Sequence, residues 1–188
     1  MPFASADGTA TPFMDALFTA TSATSLTGLV TVDTGSHWSI AGRVIVITLI
    51  QVGGLGIMSI ASLTGMLLTG RVKLRSRYST AAEGRPILEG GVRATLVATL
   101  LLTFAFELFV AVILFFRFMV EYDMPVLSAA GEGIFHAISA FNNAGFGLRS
   151  DSLISYNSDG WILLPLAGAL MIGGLGYPVL SEVVGRRR

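Results

Sequence analysis

Two glycines stand out by their setting rather than by any reactive side chain. Gly28 lies in the run Thr24-Ser-Leu-Thr-Gly28-Leu29, and Gly145 lies in Phe141-Asn-Asn-Ala-Gly145-Phe146. Neither run holds an acid, a base or a thiol. The chemistry open to them is therefore that of the backbone. Carbonyl oxygens lining a narrow passage can replace the water of a dehydrated cation, and glycine reaches backbone angles that turn carbonyls toward an axis. A lone glycine after a short helix reads as a C-cap. Repetition is what favours coordination here.

The repeat is direct. Asp15-Ala-Leu-Phe-Thr-Ala-Thr-Ser-Ala-Thr-Ser-Leu-Thr-Gly28-Leu29 aligns with Glu132-Gly-Ile-Phe-His-Ala-Ile-Ser-Ala-Phe-Asn-Asn-Ala-Gly145-Phe146. Phe18 meets Phe135, Ala20 meets Ala137, and Ser22-Ala23 meets Ser139-Ala140. Further on, Val52-Gly-Gly-Leu-Gly56 meets Ile172-Gly-Gly-Leu-Gly176, with the register slipping by three residues in the intervening loop. A repeated unit fixes the architecture before any single element does. The Gly-Gly-Leu-Gly elements read as close helix packing in a membrane. They are not a dinucleotide fingerprint, because no strand precedes them.

Elements must hold these loops in place. Three long apolar segments run over about 40–68, 94–120 and 161–184, and about 20 apolar residues suffice to cross a bilayer. The third contains Pro165 and Pro178, which predicts a kink. Two shorter apolar stretches, Phe13–Ser25 and Gly133–Asn142, precede the glycine runs. At about 1.5 Å per residue neither crosses the membrane, so each reads as a re-entrant helix. Thr11 is the expected N-cap of the first, with Pro12 as its first helical residue and Asp15 in its first turn. Glu132 takes the corresponding place before the second. The C-terminal, partially negative end of each short helix then favours a cation.

Composition agrees with a chain solvated by lipid. Of 188 residues 53% are hydrophobic and only 13% charged, against about 25% charged in soluble domains. Net charge is zero and there is no cysteine, which removes disulfide and thiolate chemistry. Residues 1–11 contain no Lys or Arg, so no secretory signal is read there. The basic residues gather at Arg71, Lys73, Arg75, Arg77, Arg85 and Arg93 and at Arg186-Arg187-Arg188. The positive-inside rule places both groups in the cytoplasm. Both short helices then enter from the outer face and return to it.

At these residues the chain resembles the TrkH/KtrB/HKT superfamily of potassium transporters. The resemblance rests on Ala23-Thr-Ser-Leu-Thr-Gly28-Leu29 with Val32-Asp33-Thr34, on Gln51-Val-Gly-Gly-Leu-Gly56, and on Phe141-Asn-Asn-Ala-Gly145-Phe146. It implies four helix–pore-helix–helix units in one polypeptide around a single potassium pathway. It places ion-facing carbonyls on Leu26, Thr27 and Gly28 and on Asn143, Ala144 and Gly145. Glycine at the two filter positions implies preference for potassium, since some relatives with serine in the first loop favour sodium. It also implies a homodimer on a cytosolic nucleotide-binding regulatory subunit.

The reading is therefore an all-α, multi-pass protein of the cell membrane, built from repeated units of a potassium-channel-like pore. Residues 1–69 form a partial first unit, 70–93 a cytoplasmic basic linker, and 94–188 a whole second unit. The first unit's outer helix would precede Met1, so the sequence is expected to be a fragment, whose partner is the remainder of the four-unit pore. Potassium is the expected substrate, with no bound cofactor, no enzymatic activity and no nucleic-acid partner. The alternative is a non-conducting or accessory membrane subunit lacking half the pore. An intramembrane serine hydrolase using His37, or His136 with Ser139, is disfavoured, because no Gly-x-Ser-x-Gly element is present.

Overall fold

The computed structural model describes residues 2–57 and 92–185, with side chains at 2–57 and 97–175. The described residues are helical apart from loops and one isolated bridge between Ser5 and Trp38. In chain order the α-helices are α1 Phe13–Ser25, α2 Thr34–His37, α3 Ile40–Ile57, α4 Val92–Glu121, α5 Val126–Phe141 and α6 Gly160–Gly185. Single 3-10 turns lie at Pro2–Ala4 and Ile154–Tyr156. Among the described residues two helical stretches, Ile40–Ile57 and Val97–Glu121, are long and apolar enough to cross a membrane. The basic linker, the rest of the first long segment and Arg186–Arg188 lie outside the described residues.

The start of α1 corrects the expectation by one residue. Pro12 occupies the cap position and accepts from the Ala16 N–H at 3.1 Å. Thr11 does not cap the helix; its Oγ1 pairs with His37 Nε2 at 3.0 Å. The larger correction concerns α5. It begins at Val126 behind Pro125, seven residues before Gly133, and runs for 16 residues. Ala129 N–H donates to the Pro125 carbonyl at 2.9 Å. Glu132 is thus a mid-helix residue, and its Oε2 lies 3.3 Å from His136 Nδ1 one turn on. The apolar run began after Glu132, but the helix begins at the proline that presets its first turn. α6 continues through Pro165 without a break.

α4, α5 and α6 pack on one another. Their shared core is Val110, Ala111, Leu114 and Phe118 of α4, Ala129, Ala137 and Phe141 of α5, Ile162, Leu166 and Ala169 of α6, and Tyr156. Lipid tails are as apolar as these side chains, so their burial gains little by itself in a bilayer. Close fit and hydrogen bonds must hold the bundle, and the interleaved alanines allow the backbones to approach. The opposite face of α4 exposes Leu101, Leu108, Phe109, Phe116 and Val120, which suits a lipid surround.

Polar contacts fix the entry to α6. Asp159 Oδ2 accepts from Arg117 Nε at 2.7 Å and from the Tyr122 hydroxyl at 3.2 Å, while Oδ1 accepts from the Trp161 N–H at 3.0 Å. Burial pushes the Asp159 carboxyl up, but the Arg117 guanidinium and these other donors hold it below its ordinary range. The cap therefore stays ionised and keeps α6 tied to α4.

A second core joins the two halves of the chain. Ala23 of α1 and Val46 and Ile50 of α3 meet Phe135, Ala144, Phe146 and Leu148. This cluster brings the two glycine runs together.

Candidate functional site

Both short helices end in the same way. In α1 the Leu26 N–H donates to the Ala23 carbonyl at 3.4 Å and the Thr27 N–H to the Ser22 carbonyl at 3.0 Å. After α5 the Asn143 N–H donates to the Ala140 carbonyl at 3.0 Å and the Ala144 N–H to the Ser139 carbonyl at 2.8 Å. These are the paired bonds of a Schellman motif, which satisfy carbonyls that the helix end would leave bare. The left-handed residue of each motif is Leu26, at φ 58°, and Asn143, at φ 56°.

The glycines come two residues later, and they are not the caps. Gly28 has φ 73° and Gly145 has φ 74°. Each loop thus has left-handed residues at alternate positions, 26 and 28 in one, 143 and 145 in the other. Leu26 is an unusual occupant of that region. Its motif bonds and its packing against the second core hold it there.

The two loops touch. A Cβ added to Gly28 would lie 2.7 Å from the Ala144 carbonyl oxygen and 3.1 Å from Gly145 Cα. A Cβ on Gly145 would meet Gly28 Cα at 3.4 Å, an ordinary contact. Ala144 is fully buried against the second core, whereas Thr27, Asn143 and Gly145 are exposed. The six residues singled out from the sequence thus lie on two adjoining loops, with Leu26, Thr27, Gly28, Asn143 and Gly145 at least partly exposed and Ala144 buried where the loops meet.

The repeated Gly-Gly-Leu-Gly elements seat the short helices. A Cβ on Gly53 would run into the Thr24 carbonyl, and one on Gly173 would run into the Phe141 carbonyl. Thr24 and Phe141 are equivalent positions of the repeat. Each long helix thus lies backbone against backbone on the last turn of its short helix. Gly54 faces the Asn142 side-chain amide in the same manner.

Loop side chains add no charge, and the C-terminal ends of α1 and α5 supply partial negative charge. Among the described residues no group of three or more His, Cys, Asp or Glu is placed to hold a metal ion. His136 and Ser139 have separate partners: Nδ1 of His136 lies 2.9 Å from the Glu132 carbonyl, and Ser139 Oγ donates to the Phe146 carbonyl at 2.6 Å. The Ser139 bond closes the loop after Gly145 onto α5.

One residue near the site escaped sequence reasoning. Glu107 of α4 is 4% exposed. Its Oε1 accepts from Asn142 Nδ2 at 2.9 Å and its Oε2 from Gln51 Nε2 at 3.1 Å. The signal was a single carboxylate inside a long apolar run, a pattern that marks function in membrane helices.

Comparison with known proteins places nearly the whole chain within one family. The family model described as TrkH, cation transport protein, matches residues 3–188. The chain is 41% identical over 177 residues to the Ktr system potassium uptake protein B of Bacillus subtilis, covering 94% of this chain and 39% of that protein. It is 40% identical over 171 residues to the protein of the same name from Vibrio alginolyticus, covering 90% and 37%. Against the potassium/sodium uptake protein NtpJ of Enterococcus hirae it is 34% identical over 189 residues, covering 100% and 41%. The chain thus spans about two fifths of the length of these curated relatives.

Proposed function

The chain belongs to the TrkH family of cation transport proteins, and from that premise we propose that it supplies two quarters of a potassium-selective filter to a membrane transporter. The carrying observation is the contact between two loops of one backbone conformation, at Gly28 and Gly145. Leu26, Thr27, Gly28, Asn143, Ala144 and Gly145 present the coordinating carbonyls. Potassium is the substrate, held by oxygens that replace its water. The potassium uptake named for the relatives supports the choice of ion.

In this reading α1 and α5 are pore helices that enter the membrane and return. Their 13 and 16 residues reach only about 20–24 Å, short of a bilayer core of about 30 Å. Residues 1–69 and 94–188 belong to successive pore units, and the basic segment 70–93 links them in the cytoplasm. The family resemblance further supports a homodimer resting on a cytosolic nucleotide-binding subunit.

Gly28→Val tests the filter directly in a complete transporter carrying this chain. The valine Cβ adds both a clash with the Ala144 carbonyl and a forbidden φ. Potassium uptake is expected to collapse while protein abundance in the membrane holds. Unchanged uptake and unchanged preference for potassium over sodium would sink the proposal.

A further inference from the structure

Glu107 lies in the middle of α4, where a carboxyl group costs several kcal/mol unless its oxygens are satisfied. It has no ion-pair partner among the described residues. It faces the bundle on the same side as Thr99 and Thr103, which are also buried and spaced four residues apart. Its two oxygens each take one amide hydrogen bond, from Gln51 and from Asn142. The two amides also face each other, with Asn142 Nδ2 lying 3.3 Å from Gln51 Oε1.

These three residues come from three different elements. Gln51 is on α3, directly ahead of the glycines that seat α1. Asn142 follows the last residue of α5 and immediately precedes Asn143-Ala144-Gly145. Its amide nitrogen also donates to the Ile138 carbonyl at 2.9 Å. On the far side of the same amide, Gly54 leaves the space that a Cβ would fill. The Asn142 amide is therefore gripped from one side by Glu107 and Gln51 and given room on the other by a glycine. Nothing in the repeat requires this, because the residue equivalent to Asn142 is Ser25, whose hydroxyl bonds back to the Thr21 carbonyl.

We propose that Glu107 is a positioning residue for the second filter loop: through Asn142 it sets the orientation of Asn143-Ala144-Gly145, and through Gln51 it locks that loop to the long helix of the preceding unit. This rests on the reading of those loops as filter quarters. Glu107 acts from behind, with no contact to the ion. Its two acceptor oxygens match two amide donors, which no neutral side chain of the same size can do, because an amide offers one acceptor and two donors.

The test uses the complete transporter in proteoliposomes, with potassium and sodium uptake measured separately and protein abundance quantified. Glu107→Gln keeps the size but turns one acceptor into a donor, and it is expected to lower the potassium-to-sodium preference about tenfold, as loss of a hydrogen bond to a carboxylate would. Asn142→Asp should do the same by setting two carboxyls against each other. The double variant E107Q/N142D restores the donor–acceptor match between these two side chains but leaves the new carboxylate at position 142 against the Ile138 carbonyl and Gln51 Oε1, so it should recover part of the preference lost in the worse single variant. A generic packing defect would not be rescued in this way. Gly54→Ala crowds the amide from its other side and should shift the preference in the same direction, whatever the folding of the Glu107 variants. Wild-type preference in E107Q, a double variant no better than the worse single, or wild-type preference in Gly54→Ala each overturns the proposal. Gly28→Val is run in parallel. If it too leaves uptake and preference unchanged, the filter reading itself fails. If Gly28→Val abolishes uptake while E107Q and Gly54→Ala behave as wild type, only the role of Glu107 fails.

Discussion

Gly28 and Gly145 are equivalent in the repeat but not in their tolerance. Both sit at positive φ, where a side chain costs about 1–2 kcal/mol. Only Gly28 has the Ala144 carbonyl pressed against the space a Cβ would take. Gly28→Ala must therefore strain its own backbone and also displace the neighbouring loop. Gly145→Ala bears the backbone strain alone. Side by side in the complete transporter, Gly28→Ala is expected to lose more potassium selectivity than Gly145→Ala, read as the ratio of potassium to sodium uptake. Equal losses would mean that the contact between the loops carries no weight.

Among the helices, the same logic separates glycines that are seats from glycines that are merely present. Gly173 lies against the Phe141 carbonyl, whereas among the described residues nothing comes within 4 Å of a Cβ on Gly168 of the same helix. Gly173→Ala is expected to destabilise the purified transporter by about 1–3 kcal/mol through overpacking. Gly168→Ala is expected to be neutral, or stabilising by up to about 1 kcal/mol through helix propensity. Melting temperatures of the two variants check this, and a lower value for Gly168→Ala would contradict it. The first unit offers the matching pair, with Gly53 against Thr24 and Gly56 meeting nothing within 4 Å among the described residues. Much of this was legible beforehand. The 13 residues of α1 stood out because their apolar run coincides with the helix, and Val52–Gly56 against Ile172–Gly176 exposed the repeat. The start of α5 was not legible, because Ser128, Gly131 and Glu132 interrupt the apolar pattern while Pro125 still presets the helix. Nor could sequence separate a glycine cap from a glycine two residues past the cap. The αL residue proved to be Leu26, a type that rarely takes that role, so the residue rule pointed to the wrong position. Glu107 was hidden for a different reason: its partners, Gln51 and Asn142, lie 56 and 35 residues away in sequence.

At the scale of the whole molecule, the second core makes the two units one body. Ala23, Val46 and Ile50 of the first unit share it with Phe135, Ala144, Phe146 and Leu148 of the second. Gly35 in the first unit is also pressed against the Leu148 carbonyl. The expected topology can be checked without disturbing this core, because the chain has no cysteine of its own. Ser158, exposed just before α6, is expected outside, and Ser79 of the basic linker inside. With other cysteines removed from the complete transporter, a charged thiol reagent should label Ser158→Cys in intact cells and Ser79→Cys only after lysis. The opposite pattern would invert the whole arrangement.

The matched turns at Leu26 and Asn143 have a consequence for how such a protein changes over time. One is apolar and one is polar, yet their φ angles differ by only 2°. What the two copies of the repeat share is a path of the main chain, and every amino acid carries the same carbonyl along that path. Side chains in the loops can thus differ with their neighbours, as buried Ala144 and its exposed counterpart Thr27 do, while the main-chain oxygens, ion-facing in the proposed filter, stay chemically identical. Drift in the letters of these loops need not be drift in what the loops hold.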